Sequence, residues 1–138
     1  MTKVTKENRR HYRQKWLDFL RGEGRRKAKG LLEKIAGYDK ENPRCCLGHA
    51  CVALGMKGVK DNTNMIYDGS SALLPLSAQI QLGISSDGSF KECVSVGSAT
   101  YSSLSTINDC TDLSPADIAD VIEEQFKNDN FEEFPTLL

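Results

Sequence analysis

Histidine and long apolar runs are scarce in this chain of 138 residues. Only His11 and His49 are present, which limits the acid–base and metal-binding chemistry that imidazole rings could supply. No apolar run approaches the roughly 20 residues that a membrane-spanning helix needs, so we expect no membrane segment. Residues 1–20 also lack the apolar stretch of a secretory signal, so we expect a cytoplasmic protein.

Several sequence signatures of function are missing as well. The chain has no P-loop, no GxGxxG pattern and no internal repeat. Its five cysteines are an odd number, and without a secretory signal we expect reduced thiols rather than a disulfide framework. No DNA-binding motif occurs, and the isoelectric point near 6.1 argues against a nucleic-acid partner.

The charge that is present is unevenly distributed. Residues 1–44 hold 14 Lys and Arg against 6 Asp and Glu, a balance of +8, whereas residues 45–138 hold 4 against 13, a balance of −9. The two balances give the net charge of −1. Such a division indicates an anionic partner for the basic part, or complementary surfaces within or between subunits.

Hydrophobic spacing predicts one compact α+β domain over residues 1–138, mainly helical with a small β-sheet or hairpin. We expect a basic helix within residues 1–22, a buried small-residue helix over 46–54, and an acidic tail over 127–138 that is loosely attached, with Phe131 and Phe134 as candidate anchors. Pro75 is predicted at the first position of a short helix that ends at Gly83. The other predicted elements are a strand over 90–96, a strand around 65–67, a helix over 100–109, and a helix that begins at Ser114.

The densest group of reactive side chains lies between Cys45 and Cys51, with His49 among them. A zinc site is not predicted, because on one helix Cys51 points away from Cys45 and His49. A Cys–His nucleophilic pair is within reach on a helix, but free cysteines are more often buried packing residues. We therefore predict no catalytic residue, no metal and no cofactor here.

An anion site is the remaining interpretation. The N-terminus of the 46–54 helix offers free N–H groups, and a glycine-bounded basic stretch lies nearby in sequence. Arginine and lysine would contact phosphate, the cysteines would line the helix start, and a tyrosine and an asparagine would contact base or ribose. The predicted ligand-binding residues are Arg25, Arg26, Lys27, Arg44, Cys45, Cys46, Tyr67 and Asn108.

Short motifs occur in the order Trp16–Leu17, Cys45–Cys51, Leu74–Pro75 and Ile107–Asp109. This order is similar to that of a family of small tailed-phage and bacterial proteins. Its most distinctive element is Cys-Cys-Leu-Gly-x-x-Cys at 45–51, and the resemblance covers about residues 16–126. Lys27 replaces a common glutamine and His49 a common aliphatic residue, which makes a catalytic or zinc role for His49 less expected. The other matching pieces are Trp16–Leu17, Gly30–Leu31, Leu74–Pro75, Leu82–Ile84, Ile107–Asp109 and Ile118–Asp120.

The resemblance implies a phage protein without implying a defined activity. Small phage proteins that lack enzyme motifs are often anti-defence factors. We therefore predict a non-catalytic, homo-oligomeric sponge in the host cytoplasm for a nucleotide-like signal, either a cyclic nucleotide or an ADP-ribose type. The alternatives are an inhibitor that docks on a host protein, or an enzyme that processes a nucleotide with Cys45, Cys46 or Asp109 as its reactive group.

Overall fold

A computed structural model describes residues 4–36 and 41–132 of the chain, and it is an α+β fold as the sequence predicts. The strands within these ranges form two antiparallel sheets, one in the order β1-β3-β2 and one a β4-β5 hairpin. In chain order the elements are α1 (Lys6–Leu20), β1 (Glu33–Lys34), α2 (Cys46–Ala53), β2 (Val59–Asp61), β3 (Asn64–Ile66), α3 (Leu76–Leu82), β4 (Ser89–Val96), β5 (Ala99–Ser103), α4 (Leu104–Cys110) and α5 (Pro115–Lys127).

Helix α2 lies in the middle of the core, and its small residues allow its neighbours to approach closely. A Cβ atom added to Gly48 would lie 1.7 Å from the carbonyl oxygen of Leu32, so only glycine fits there. On another side, the Trp16 indole of α1 donates a 2.8 Å hydrogen bond to the Cys46 carbonyl. The prediction of a buried small-residue helix is confirmed.

The helix starts follow the capping residues that the sequence shows. Thr5 accepts a hydrogen bond from the Asn8 amide at 3.1 Å and begins α1. Ser114 and Asp117 form a reciprocal capping box at α5, with Pro115 at the first turn. Local chemistry therefore sets these two helix boundaries before any packing is considered.

Three parts of the chain differ from the sequence expectations. Residues 99–103 are strand β5 and not the start of a helix, because they pair with β4 after a tight turn at Gly97. Pro75 caps α3 from outside the helix instead of occupying its first position. The segment through residue 132, predicted as part of a loosely attached tail, packs against β4 through Phe131, which is buried as expected for one of its two candidate anchors; the other, Phe134, lies with residues 133–138 outside the described part.

The buried apolar side chains form one cluster that takes contributions from all five of these helices. Cys45, Cys46 and Cys51 belong to that cluster, whereas Cys93 and Cys110 are exposed. In the described ranges, no helix combines the length and apolar character needed to cross a bilayer.

Candidate functional site

The arginines predicted to bind phosphate are held by carboxylates of the same chain. The Arg44 Nε donates to Glu33 at 2.7 Å and its Nη1 to Glu41 at 3.1 Å. Arg25 donates to the same Glu41 oxygen at 2.6 Å, and its guanidinium lies 3.6 Å from the Phe19 ring centre. These ion pairs neutralise positive charge that the predicted phosphate site requires.

Glu33 is the buried centre of this network. Tyr67 donates its hydroxyl to Glu33 in a short hydrogen bond, and the Asn42 amide donates at 2.6 Å. Burial raises the pKa of Glu33, but the hydrogen bonds from Tyr67, Asn42 and Arg44 outweigh it and hold that pKa below its usual value. Burial and the Glu33 contact raise the pKa of Tyr67, so Tyr67 stays a neutral donor to Glu33.

The basic loop is also tied into the fold. The Lys27 ammonium donates to the carbonyls of Thr111 and Leu113 at 2.6 and 2.9 Å, just after α4. Burial and the charge of Lys29 lower the pKa of Lys27. Arg26 is exposed and donates to the Glu41 carbonyl at 3.1 Å. Lys27 therefore joins two segments, and Arg26 alone of the predicted cations points to solvent.

The N-terminus of α2 already has an internal acceptor. The Asn108 side-chain oxygen accepts the Cys46 amide at 3.0 Å, and its nitrogen donates to the Ala28 carbonyl at 2.8 Å. The Cys45 Sγ accepts from the Gly48 amide at 3.4 Å. Asn108 thus occupies the position where a phosphate oxygen was expected, and it acts as a helix cap.

The thiols near this helix are poor nucleophiles. Burial raises the pKa of Cys45 to about 11 and that of Cys51 to about 12, and it raises the pKa of Cys46 well above its usual value. A thiolate is the reactive form, so these groups stay protonated and inert at neutral pH. The geometry favours packing over the nucleotide-processing alternative that used Cys45 or Cys46.

His49 is fully buried beside these cysteines. Its Nδ1 lies 2.9 Å from the Cys45 carbonyl oxygen, and its ring lies 5.7 Å from that of Phe19. The Nδ1 must therefore carry the proton, which leaves Nε2 as an unprotonated acceptor. That Nε2 atom has no hydrogen-bond partner in the described residues.

We expect His49 to make the fold sensitive to acid. Burial lowers the pKa of His49 to about 4; the Cys45 carbonyl opposes the shift and Arg44 adds to it. The unfolded chain, with a pKa near 6.5, therefore binds the proton first. As pH falls from 6.5 to 4, the free energy of unfolding should fall by about 3 kcal/mol through this group.

The measurement is urea unfolding of the wild type and of His49→Leu across that pH range. The difference between the two free energies should change by the stated amount, since the other titrating groups cancel. His11→Gln, at an exposed position, is the control for the removal of a histidine. A constant difference between wild type and His49→Leu would contradict the argument.

A basic cleft lies elsewhere, between α1 and the C-terminal end of α5. Its volume is about 550 Å³. Among the lining residues that the structure describes, five side chains are cationic and two are carboxylates, a balance of +3. The charged lining residues are Lys6, Arg9, Arg10, Arg13, Lys127, Glu123 and Asp129.

Two of the cleft arginines are fixed by α3. The Arg9 Nε donates to the Ile80 carbonyl at 3.0 Å, and the Arg13 Nε donates to the Leu82 carbonyl at 2.8 Å. Gly83 makes room for them, because an added Cβ would lie 2.9 Å from the Arg9 guanidinium. Gly83 also has φ of +72°, so a single residue ends α3 and seats both guanidinium groups.

Aromatic rings form the other wall of the cleft. The Arg13 guanidinium lies 4.1 Å from the ring centre of Phe126. Phe126 in turn contacts Phe131 and Trp16, with ring centres 4.7 and 6.2 Å apart. The cleft therefore combines oriented positive charge with an aromatic surface.

None of the cleft residues was among the predicted ligand-binding residues. The sequence shows the arginines of α1 as one basic helix face, but only the fold adds Phe126, Lys127 and Phe131 to them. Lys127 is the single lysine in an otherwise acidic stretch over 108–138. That isolated positive charge is the one feature of the C-terminal sequence that points to a role in binding an anion.

Comparisons with known proteins identify no relative from which a function could be inferred. No protein-family model, no curated protein and no solved structure matches the chain. Within residues 4–36 and 41–132, no group of three or more His, Cys, Asp or Glu side chains is placed to hold a metal ion.

Proposed function

We propose that the protein binds a phosphate-bearing, nucleotide-type small molecule in the cleft between α1 and α5 and releases it unchanged. The observation that carries the proposal is the cleft itself, with five cations around a volume of about 550 Å³. That volume lies within the range typical of small-molecule sites. The ligand class is the one that the sequence predicted, but the residues that hold it differ.

The lining chemistry supports a nucleotide over a simple anion. The exposed guanidinium group of Arg10 suits phosphate oxygens, since its planar N–H groups match that geometry, and the exposed Lys6 and Lys127 add positive charge to the same cleft. The partly exposed Phe126 gives the cleft wall an apolar surface that suits a base, and the buried Phe131 packs against it. No cysteine, serine or histidine is among the described cleft residues, so the lining favours retention of a ligand over nucleophilic attack on it.

In the phage setting that the sequence resemblance implies, such binding would sequester an immune signal in the host cytoplasm. A cyclic nucleotide and an ADP-ribose-type molecule both supply the phosphate and base that the cleft suits. A homo-oligomer remains our prediction for the assembly, although α1 and α5 already meet within one chain, where Arg21 pairs with Asp120 and Glu123.

The test compares two charge-reversed double variants in ligand titrations. Lys6→Glu with Arg10→Glu changes exposed cleft residues and should weaken binding of cyclic dinucleotides or ADP-ribose at least tenfold. Lys15→Glu with Arg26→Glu makes the same change of charge at exposed positions outside the cleft and should bind as the wild type does.

Mass spectrometry of ligand released by heat completes the test. Recovery of intact ligand supports sequestration, whereas a chemically altered ligand would overturn the proposal in favour of an enzyme. Equal binding by the wild type and the cleft variant would show that the ligand does not bind in the cleft. Loss of binding in the Lys15 and Arg26 variant alone would return the site to the loop around Arg26.

A further inference from the structure

The outer edge of β4, opposite the edge that pairs with β5, is covered along only part of its length. Phe131 forms an antiparallel bridge with Phe90. The Lys91 amide donates to the Asn130 carbonyl at 2.7 Å, and the Glu132 amide donates to the Ser89 carbonyl at 2.9 Å. Residues 130–132 therefore act as a short third strand on this edge.

The Asn130 side chain ends that coverage at Glu92. Its oxygen accepts the Glu92 amide at 2.9 Å, and its nitrogen donates to the Glu92 carbonyl at 3.0 Å. An amide that both donates and accepts in this way replaces one peptide unit of a pairing strand. Beyond it, over residues 93–96, no described residue hydrogen-bonds to the outer edge of β4.

A groove of about 380 Å³ runs beside this uncovered edge. One wall is β4 and the other is the last turns of α5, which contribute Glu124, Gln125 and Asn128. Within residues 4–36 and 41–132, the lining carries two carboxylates, Glu92 and Glu124, and no cation; its other described residues are neutral. The groove is therefore a negatively charged channel next to unpaired backbone groups.

We propose that residues 93–96 of β4 bind an extended, lysine- or arginine-bearing segment of a partner protein by strand addition. Main-chain pairing would supply affinity, and Glu92 with Glu124 would select positive side chains. Charge disfavours a second copy of this chain in the same place. Two copies paired edge to edge about a two-fold axis would place both pairs of carboxylates along one shared groove.

The probe is a blocked peptide of four Lys-Val repeats, titrated against the full chain while amide hydrogen exchange is followed. The peptide should slow exchange at residues 93–96. In Glu124→Lys its affinity should fall at least tenfold, whereas Asp61→Lys, an exposed charge reversal on β2, should bind as the wild type does. The cleft variant Lys6→Glu with Arg10→Glu should also bind the peptide normally, which separates this site from the proposed nucleotide site.

Two altered peptides distinguish strand pairing from simple charge attraction. The same peptide with N-methylated valines cannot pair along its backbone and should lose binding, and a Glu-Val peptide should be rejected by charge. Equal binding of the N-methylated peptide, or unchanged affinity in Glu124→Lys, would overturn the proposal. Protection of residues 93–96 that appears without peptide and grows with protein concentration would instead assign the edge to a second copy.

Discussion

Replacing Gly48 with alanine should lower the free energy of unfolding by about 4 kcal/mol, although alanine is intrinsically the better helix former. The added methyl would meet the Leu32 carbonyl oxygen at 1.7 Å and its carbon at 2.6 Å. Both atoms are backbone, so no side-chain rotation can relieve the overlap. Helix α2 and the segment before β1 would have to separate, which would open the core around them.

Chemical denaturation of Gly48→Ala beside the wild type measures this effect. Ala53→Gly, at the last residue of the same helix, is the matched control and should cost no more than about 1 kcal/mol, from helix propensity and the loss of one partly buried methyl group. Adding Leu32→Ala to Gly48→Ala should restore nothing, because the obstructing atoms remain. Recovery in that double variant would show that the crowding comes from the Leu32 side chain instead.

Replacing Arg44 with methionine should destabilise the protein by about 3–5 kcal/mol at neutral pH. The Glu33 side chain is only 4% exposed, and it would lose the one guanidinium that pairs with it. Tyr67 and Asn42 would still donate, but their hydrogen bonds leave the negative charge uncompensated. The loss should shrink at low pH, because Glu33 then takes up a proton and the buried charge disappears.

A double-mutant cycle tests the cause. Glu33→Gln in the Arg44→Met background should recover much of the stability, since it removes the isolated charge. Arg21→Met is the control, because Arg21 pairs with Asp120 and Glu123 at the surface and should cost no more than about 1 kcal/mol. Equal losses in Arg44→Met and Arg21→Met would show that the network around Glu33 contributes little.

Most of the fold can be predicted from the helical periodicity of apolar residues and from the capping residues. Thr5 and Ser114 predict helix starts from their own side-chain chemistry, and the small residues around Gly48 predict a closely packed helix. Strand β5 is not predicted from the sequence, because its residues, Ala99–Ser103, have no alternating apolar pattern. These residues form a strand only because they pair with β4, and such pairing depends on tertiary structure, not on local sequence.

The site shows the same division between local and long-range information. Arg25, Lys27 and Arg44 look like phosphate ligands in the sequence because nothing there shows which acceptors they meet. In the fold, the acceptors of these three side chains come from other segments of the chain, so their positive charges are already compensated within the protein. The cleft joins Arg13 to Phe126 across 113 positions of sequence, a distance that periodicity and spacing do not address.

The Asn108 cap has a consequence for the emergence of this chain from the ribosome. The residue that satisfies the start of α2 is made 62 positions after Cys46, and the Ala28 carbonyl that it also binds is made 80 positions before it. Until α4 is synthesised, the Cys46 amide lacks the Asn108 oxygen that accepts it and the Ala28 carbonyl lacks the Asn108 amide that donates to it. The amino-terminal half therefore completes these two buried hydrogen bonds only when more than three quarters of the chain has been made, which ties the finished start of α2 to a late part of the chain.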